Sequence, residues 1–455
     1  MPTNSELAHW DSHHYWHAFT QMEDYDSVVI ERGEGVWLVD TMGQRYLDGV
    51  SSMWCNLHGH NHPRLNGAIR QQLNLIAHST SLGQGNRLAA TLAKRLADIA
   101  PGDLQHVFYA SDGSSVVEAA LKMAFQFWQQ CEQPRPEKTQ YVALGKAYHG
   151  DTLGSASVGG IDRFHALFKP LLFDVIRLPT PDPRTVASPT DACKHFLQQL
   201  EQVLSAEHEK IAALVLEPMI QAAAGMVFHP PGYLRGVREL TSRYDVLLIT
   251  DEIVTGFGRT GRMFACEHES VTPDILCLGK SITGGYLPLA AAIASPEIYR
   301  SFLGPTTSGR AFHHGHTYGG NQLAAAAALA SLDLFEEEQT LHQLADKGQK
   351  LTEILAQLQE HPHVAQTRQH GLIAAVELTP DPTSKLPYAA ELQIGSRVCQ
   401  AAKERGVWLR PLRDVLVLMP PLSISLEELD LLGTVLLASI DRATEDMSNL
   451  IAASP

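Results

Sequence analysis

Val246-Leu247-Leu248-Ile249-Thr250-Asp251-Glu252 is a short, nearly all-apolar run that stops abruptly in two carboxylates. Apolar residues without alternation, over a length too short for a helix, read as a strand buried on both faces, as in a parallel sheet. The pattern returns in Ile275-Leu276-Cys277-Leu278, followed by Gly279-Lys280, so that Lys280 stands 29 residues after Asp251. Outward from this pair, His106 to Tyr109, Gln140 to Leu144, Ala212 to Leu216 and Leu289 to Ala294 are further candidate strands with helical stretches between them. Strands alternating with helices build a mostly parallel sheet covered on both faces, and the fold class expected is α/β.

The flanks differ. Ser27 to Val50 breaks short apolar runs with Gly33-Glu34-Gly35 and Asp40-Thr41-Met42-Gly43, the signature of a small antiparallel unit. After Gln322 an Ala-rich stretch reads as a long helix, and Gly371 to Leu378 with Val407 to Met419 reads as strands of a C-terminal unit. The expected division is therefore a large domain over 63–329 and a smaller α+β domain assembled from 1–62 and 330–455. Pro134 to Lys138 and Thr180 to Pro189 are the linker-like stretches.

The chain has 455 residues, 44% hydrophobic and 19% charged, an ordinary globular balance with enough length for a large core. Its 35 basic against 50 acidic side chains, a formal charge of -15, argue against a nucleic-acid partner and leave small molecules as the expected ligands. The first thirty residues carry no basic start leading into an apolar stretch, and no apolar run reaches the ~20 residues that cross a bilayer. No export signal and no membrane association are expected, and the cytoplasm is the expected location. The six cysteines form no C-x-x-C pair and are read as reduced and structural.

In an open parallel sheet, ligands sit at the carboxyl ends of the strands. After His106 to Tyr109 comes Ala110-Ser111-Asp112-Gly113-Ser114-Ser115, then a helical pattern. Gly113 and Ser114 at a helix start can hold a phosphate with amides and a hydroxyl, or form a plain N-cap. Asp251 at a strand end is a costly place for an idle charge. It can face a protonated ring nitrogen, which keeps pyridoxal phosphate an electron sink, or be a cap or buried ion pair.

Lys280 with Ser281 suggests a nucleotide P-loop, but that motif needs glycine where Asp274 stands. A lysine among glycines after an apolar strand suits a Schiff-base amine, or it is a surface lysine. Tyr148, after Gln140 to Leu144, can stack on a planar cofactor or simply pack. His58-Gly59-His60-Asn61-His62 and His313-His314-Gly315-His316 lie in Gly-rich loops without matching Cys or carboxylate spacing, and no metal is expected there.

These pieces occur in one order, and with Asp251-Glu252-Ile253-Val254-Thr255-Gly256-Phe257-Gly258-Arg259-Thr260-Gly261, Pro273-Asp274-Ile275 and Gly279-Lys280 the chain resembles the class III, fold type I aminotransferases over nearly its whole length. The resemblance implies pyridoxal 5'-phosphate held by Lys280 as a Schiff base, with Lys280 later moving the substrate proton. It also implies Asp251 on the ring nitrogen, Tyr148 on the ring face, and Gly113 with Ser114 on the phosphate. His316 and Thr317 resemble a phosphate-binding pair supplied by the neighbouring subunit, which implies a homodimer.

Within the class the chain is most similar to members that transaminate 8-amino-7-oxononanoate in biotin biosynthesis. That similarity rests on Ser51-Ser52-Met53-Trp54, Leu57 to Pro63, Tyr148-His149-Gly150-Asp151-Thr152, Phe264 to His268 and Arg410-Pro411. It implies that Arg410 holds the nonanoate carboxylate and that Phe19, Met53, Trp54 and Gly315 line the substrate pocket. Many members have tryptophan where Met53 stands and tyrosine where Phe19 stands. Both replacements bear on the amino donor, and lysine is expected over S-adenosylmethionine. Two rivals are a broad omega-amine:pyruvate transaminase, which needs no nonanoate pocket, and a non-catalytic binding module on the same fold, which needs no Lys280.

Overall fold

The computed structural model describes residues 2–452. β1 (Ile30–Glu34), β2 (Trp37–Asp40) and β3 (Arg45–Asp48) form the expected antiparallel N-terminal unit. Then come β4 (His106–Ala110), β5 (Gln140–Leu144), β6 (Ile176–Leu178) and β7 (Ile211–Leu216), followed by the short pair β8 (Ile220–Gln221) and β9 (Val227–Phe228). β10 (Leu247–Asp251), β11 (Ile275–Leu278) and β12 (Ala290–Ala294) follow. The last segment carries β13 (Val364–His370), β14 (Ile373–Leu378), β15 (Val407–Trp408), β16 (Arg410–Leu412) and β17 (Val415–Leu418).

One seven-stranded sheet runs in the order β4-β12-β11-β10-β7-β5-β6. Only β12 opposes the common direction, being antiparallel to both β11 and β4. All six strands expected from apolar runs are in it. The edge strand β6 was not foreseen, because three residues, Ile176-Arg177-Leu178, are too few to show a period.

Neighbouring residues of β10 explain why its sequence does not alternate. Leu247 and Ile249 pack with Val116, Ala120 and Phe127 of the helix Gly113–Gln130. Leu248 faces the other way, against Phe196 and Val237 of the helices Ala192–Glu207 and Tyr233–Arg243. With helices on both faces, every position of β10 is buried, and Leu247, Leu248 and Ile249 are apolar without alternation, as a parallel sheet requires.

β15 pairs in parallel with β3, so N-terminal and C-terminal strands share one sheet. β13, β14, β17 and β16 form a second, antiparallel sheet. The Ala-rich stretch forms the expected long helix, over Gln322–Glu337. It breaks where Gln339 adopts a left-handed φ of 49°, and a new helix runs over Thr340–Gln359.

The two linker-like stretches are anchored. Lys138 is sealed in the core with its ammonium donating to the carbonyls of His208, Ile211 and Asp245 at 2.7, 3.1 and 2.8 Å. Asp182 is buried and takes two bonds from the Arg184 guanidinium at 2.7 Å each. Pro and charge read as linker-like there, but the charges of Lys138 and Asp182 are structural. Among the described residues no helix is long and apolar enough to cross a membrane, and the six cysteines are free.

Candidate active site

The carboxyl ends of the parallel strands bring polar residues to one end of the sheet. β10 ends in Asp251, which pairs in register with Cys277 of β11, and Lys280 follows β11 after Gly279. β7 is followed by Glu217, β5 by Tyr148 and His149, and β4 by Gly113 and Ser114.

Lys280 has φ 41°, a left-handed conformation that turns the chain out of the strand. Its amine lies 5.2 Å from the centre of the buried Trp54 ring. Desolvation lowers its pKa below the ordinary lysine value, with the nearby Asp251 charge opposing that shift. The result is an amine closer to its neutral, nucleophilic form than a surface lysine, which is what covalent chemistry with a carbonyl needs.

Asp251 is buried, and its two oxygens are used differently. Oδ1 accepts from the Ile253 amide at 3.0 Å, while Oδ2 lies 2.7 Å from His149 Nδ1. His149 is itself buried and its Nε2 has no partner. Glu217 bridges the same neighbourhood. It accepts from the Tyr148 amide at 3.1 Å and the Ala222 amide at 2.9 Å. Burial pushes its carboxyl up to about 7, countered in part by the charge of His149.

The Tyr148 hydroxyl donates to Asp151 Oδ2 at 2.7 Å, and its ring stacks at 6.2 Å and 7° on His165. At the start of the helix Gly113–Gln130, Asp112 caps the Ser115 amide at 2.9 Å. The Ser114 hydroxyl, expected to be free, accepts from the Thr152 amide at 3.0 Å and also meets the Thr152 hydroxyl at 3.0 Å. A Cβ on Gly113 would stand 2.9 Å from Ile253, and one on Gly150 only 2.2 Å from the Ser114 hydroxyl, so the backbone is drawn tightly together here.

Further out, Arg410 on β16 donates to Met53 Sδ at 3.2 Å, and its guanidinium carbon lies 5.8 Å from the Phe19 ring centre. Among the described residues no carboxylate pairs with it. Phe19 meets Phe164 edge-on at 5.2 Å, and Phe164 meets Tyr148 at 5.9 Å. The residues Phe19, Met53 and Arg410, far apart in sequence, thus come together beside Tyr148, with Trp54 over Lys280. His316 Nδ1 accepts from the Ser111 amide at 3.2 Å, next to the turn that carries Gly113, while Gly315 and Thr317 are exposed on the same loop.

The other histidines expected to be metal-free are engaged separately: His58 with Ser331 at 2.9 Å, His60 with Asp48 at 3.0 Å, and His62 with the Arg64 amide at 3.2 Å.

A desolvated amine, a buried carboxylate, an aromatic face and a glycine-bearing helix start form a donor set that fits pyridoxal phosphate. Buried polar atoms without partners at His149 Nε2, Thr250 Oγ1 and Ser281 Oγ lie in this same region of the chain's strand ends. Sequence reasoning missed His149, Glu217 and Phe164. Glu217 did carry a signal, since Ile211 to Leu216 followed by Glu217 repeats the pattern of an apolar strand ending in a carboxylate.

The family model described as aminotransferase class-III matches residues 19–440. The adenosylmethionine-8-amino-7-oxononanoate aminotransferase of Geobacter sulfurreducens is 48% identical over 445 residues, 96% of this chain and 98% of the relative. The crystal structure of the Methanocaldococcus jannaschii protein of that name superimposes with a TM-score of 0.91 at 40% identity, over 97% of this chain and 99% of that one. An omega transaminase from Pseudomonas jessenii in complex with PMP superimposes with a TM-score of 0.92 at 30% identity, over 96% and 98% of the two chains.

Proposed function

The chain belongs to the class-III aminotransferases, and from that premise we propose that it converts 8-amino-7-oxononanoate to 7,8-diaminononanoate in biotin biosynthesis, with pyridoxal phosphate as cofactor and S-adenosylmethionine as amino donor. The observation that carries the reading is Arg410, a half-buried guanidinium without a carboxylate partner among the described residues, set beside Met53 and Phe19 at the mouth of the Lys280 crevice. Such a fork suits a substrate carboxylate. Likeness of fold supports an omega-amine:pyruvate transaminase equally well, but identity is 48% to the named relative against 30% to the omega transaminase.

When bound, the cofactor supplies an electron sink for negative charge on the carbon that bears the transferred nitrogen. Lys280 Nζ would hold it covalently, Asp251 would keep the proton on its ring nitrogen, Tyr148 would cover one ring face, and the Gly113 and Ser114 amides would take the phosphate. His149 orients Asp251 by donating from Nδ1, since an ionised carboxylate only accepts. The Lys280 amine, its pKa lowered by desolvation, takes the proton from the substrate carbon and returns it. Trp54, buried over the Lys280 amine, shields that amine from water, which strengthens the charge contacts beside it.

Donor and acceptor use the crevice in turn. The relatives' names support S-adenosylmethionine, while Met53 and Phe19 favour lysine as a second reading, since a thioether and a phenyl ring replace a rigid indole and a hydroxyl. The enzyme is further proposed to be a cytoplasmic homodimer, with Gly315, His316 and Thr317 serving the neighbouring subunit's site, and with the large unit 63–329 and the small unit 1–62 plus 330–455 enclosing substrate. The test is growth without biotin of a strain lacking diaminononanoate synthase. Rescue supports the reading, and failure of a well-expressed protein to rescue favours the broad transaminase.

A further inference from the structure

Four successive non-glycine residues, Ser51, Ser52, Met53 and Trp54, have φ of 49°, 49°, 81° and 66°. L-residues visit this region singly and at a cost, so a run of four persists only where the surroundings over-determine it. This turn carries two pocket residues. It sets Met53 Sδ against the Arg410 guanidinium and the Trp54 ring over the Lys280 amine.

What over-determines it is a sealed carboxylate. Asp48, at the end of β3, is fully buried. Oδ1 accepts from the Ser52 amide at 3.0 Å and the Val50 amide at 3.3 Å, and Oδ2 from the Ser52 hydroxyl at 2.9 Å. Its last contact is His60 Nε2, at 3.0 Å. His60 Nδ1 lies 3.4 Å from the Asn56 side-chain Nδ2, which is a donor, so the His60 proton sits on Nε2 and points at Asp48. His60 is itself clamped: its amide donates to the Gly35 carbonyl at 2.6 Å, and a Cβ on Gly33 would come within 2.5 Å of it. A second anchor is the Ser51 hydroxyl, which donates to the Met419 carbonyl at 2.6 Å.

We propose that Asp48 is a positioning residue for substrate binding: its carboxylate, oriented by His60, holds the left-handed turn Ser51–Trp54 in the conformation that presents Met53 to Arg410 and Trp54 to Lys280. The functional consequence rests on the reading of Arg410 as the carboxylate site. Loss of Asp48 leaves the turn free to relax toward right-handed backbone, which withdraws Met53 from Arg410 and weakens binding of the keto-acid substrate more than it slows chemistry at Lys280.

The experiment compares wild type, Asp48→Ala, Asp48→Asn and Asp48→Ala with Ser52→Gly, each loaded with cofactor. Two readouts are taken: KM and kcat for 8-amino-7-oxononanoate, and amide hydrogen exchange over residues 49–57. Glycine enters the left-handed region without the Cβ clash, so Ser52→Gly lowers the cost of that conformation when its holder is lost. Asp48→Ala is expected to raise KM about tenfold with kcat changed less than about threefold, to speed exchange over 49–57, and to keep the visible cofactor band. Adding Ser52→Gly is expected to recover KM by at least about threefold, and Asp48→Asn, which keeps the backbone-facing oxygen, to fall between alanine and wild type.

A folded Asp48→Ala protein with wild-type exchange and KM overturns the proposal, as does a KM that Ser52→Gly does not recover. Where the alanine variant does not fold, Asp48→Asn with and without Ser52→Gly carries the same comparison, and an unchanged KM and exchange there overturns it. Wild type that does not turn over 8-amino-7-oxononanoate refutes the functional reading alone, because hydrogen exchange still reads whether Asp48 holds the turn.

Discussion

His149 Nδ1 lies 2.7 Å from Asp251 Oδ2, and both side chains are buried. The contact joins the ends of β5 and β10 across β7. It fixes one Asp251 oxygen toward His149 while the other takes the Ile253 amide.

Asp251→Asn should therefore damage turnover more than cofactor binding. A neutral amide no longer holds a proton on the cofactor's ring nitrogen, and a few kcal/mol added to the barrier is roughly 10²-fold or more in kcat. Steady-state kcat, set against cofactor affinity from its visible band, checks this, and near wild-type turnover would count against the role.

Arg410→Ala should raise KM for 8-amino-7-oxononanoate. Removing one partner of a desolvated charge pair costs about 2 kcal/mol or more, roughly 30-fold. An unchanged KM would place the carboxylate elsewhere. Phe19, whose ring faces the same guanidinium at 5.8 Å, is expected to matter less.

Glu217 predicts a pH dependence of stability. Desolvation raises its carboxyl from the ordinary 4.5 to about 7 in the fold, so the folded protein binds more protons than the unfolded chain between those values. Its contribution is fully present below about 4.5 and is lost as pH rises through about 7, by up to about 3 kcal/mol at 1.36 kcal/mol per unit. Denaturant unfolding of Glu217→Gln and wild type should show wild type losing stability relative to the variant across this window. A difference independent of pH would mean that Glu217 ionises normally in the fold.

The amino donor can be read in one half-reaction. The cofactor-loaded enzyme is mixed separately with S-adenosylmethionine and with lysine, and the shift of its band to the amine form is followed. Conversion by S-adenosylmethionine and not by excess lysine is expected. The reverse would assign the donor through Met53 and Phe19.

The sheet was legible because its strands are buried on both faces. Residues 246–249 and 275–278 show it as unbroken apolar runs, and the polar residues that follow them are those of the candidate site. Lys280, Asp251 and Tyr148 stand where such runs stop. His149 was hidden beside Tyr148 because nothing local says that it reaches Asp251, 102 positions away. Asp48 was hidden for the same reason, since its partners include the amides of a turn whose left-handed backbone has no glycine to announce it. The Ser114 hydroxyl looked free until Thr152 was folded onto it, 38 residues on.

Mass spectrometry of the borohydride-reduced wild-type enzyme reads which lysine holds the cofactor, proposed above to be Lys280. Reduction locks the cofactor onto the nitrogen that holds it. The adduct is expected on the peptide containing Lys280, with Lys280→Ala folded, free of adduct and without turnover. An adduct on another lysine, or a Lys280→Ala variant that still transfers amino groups, would contradict that assignment.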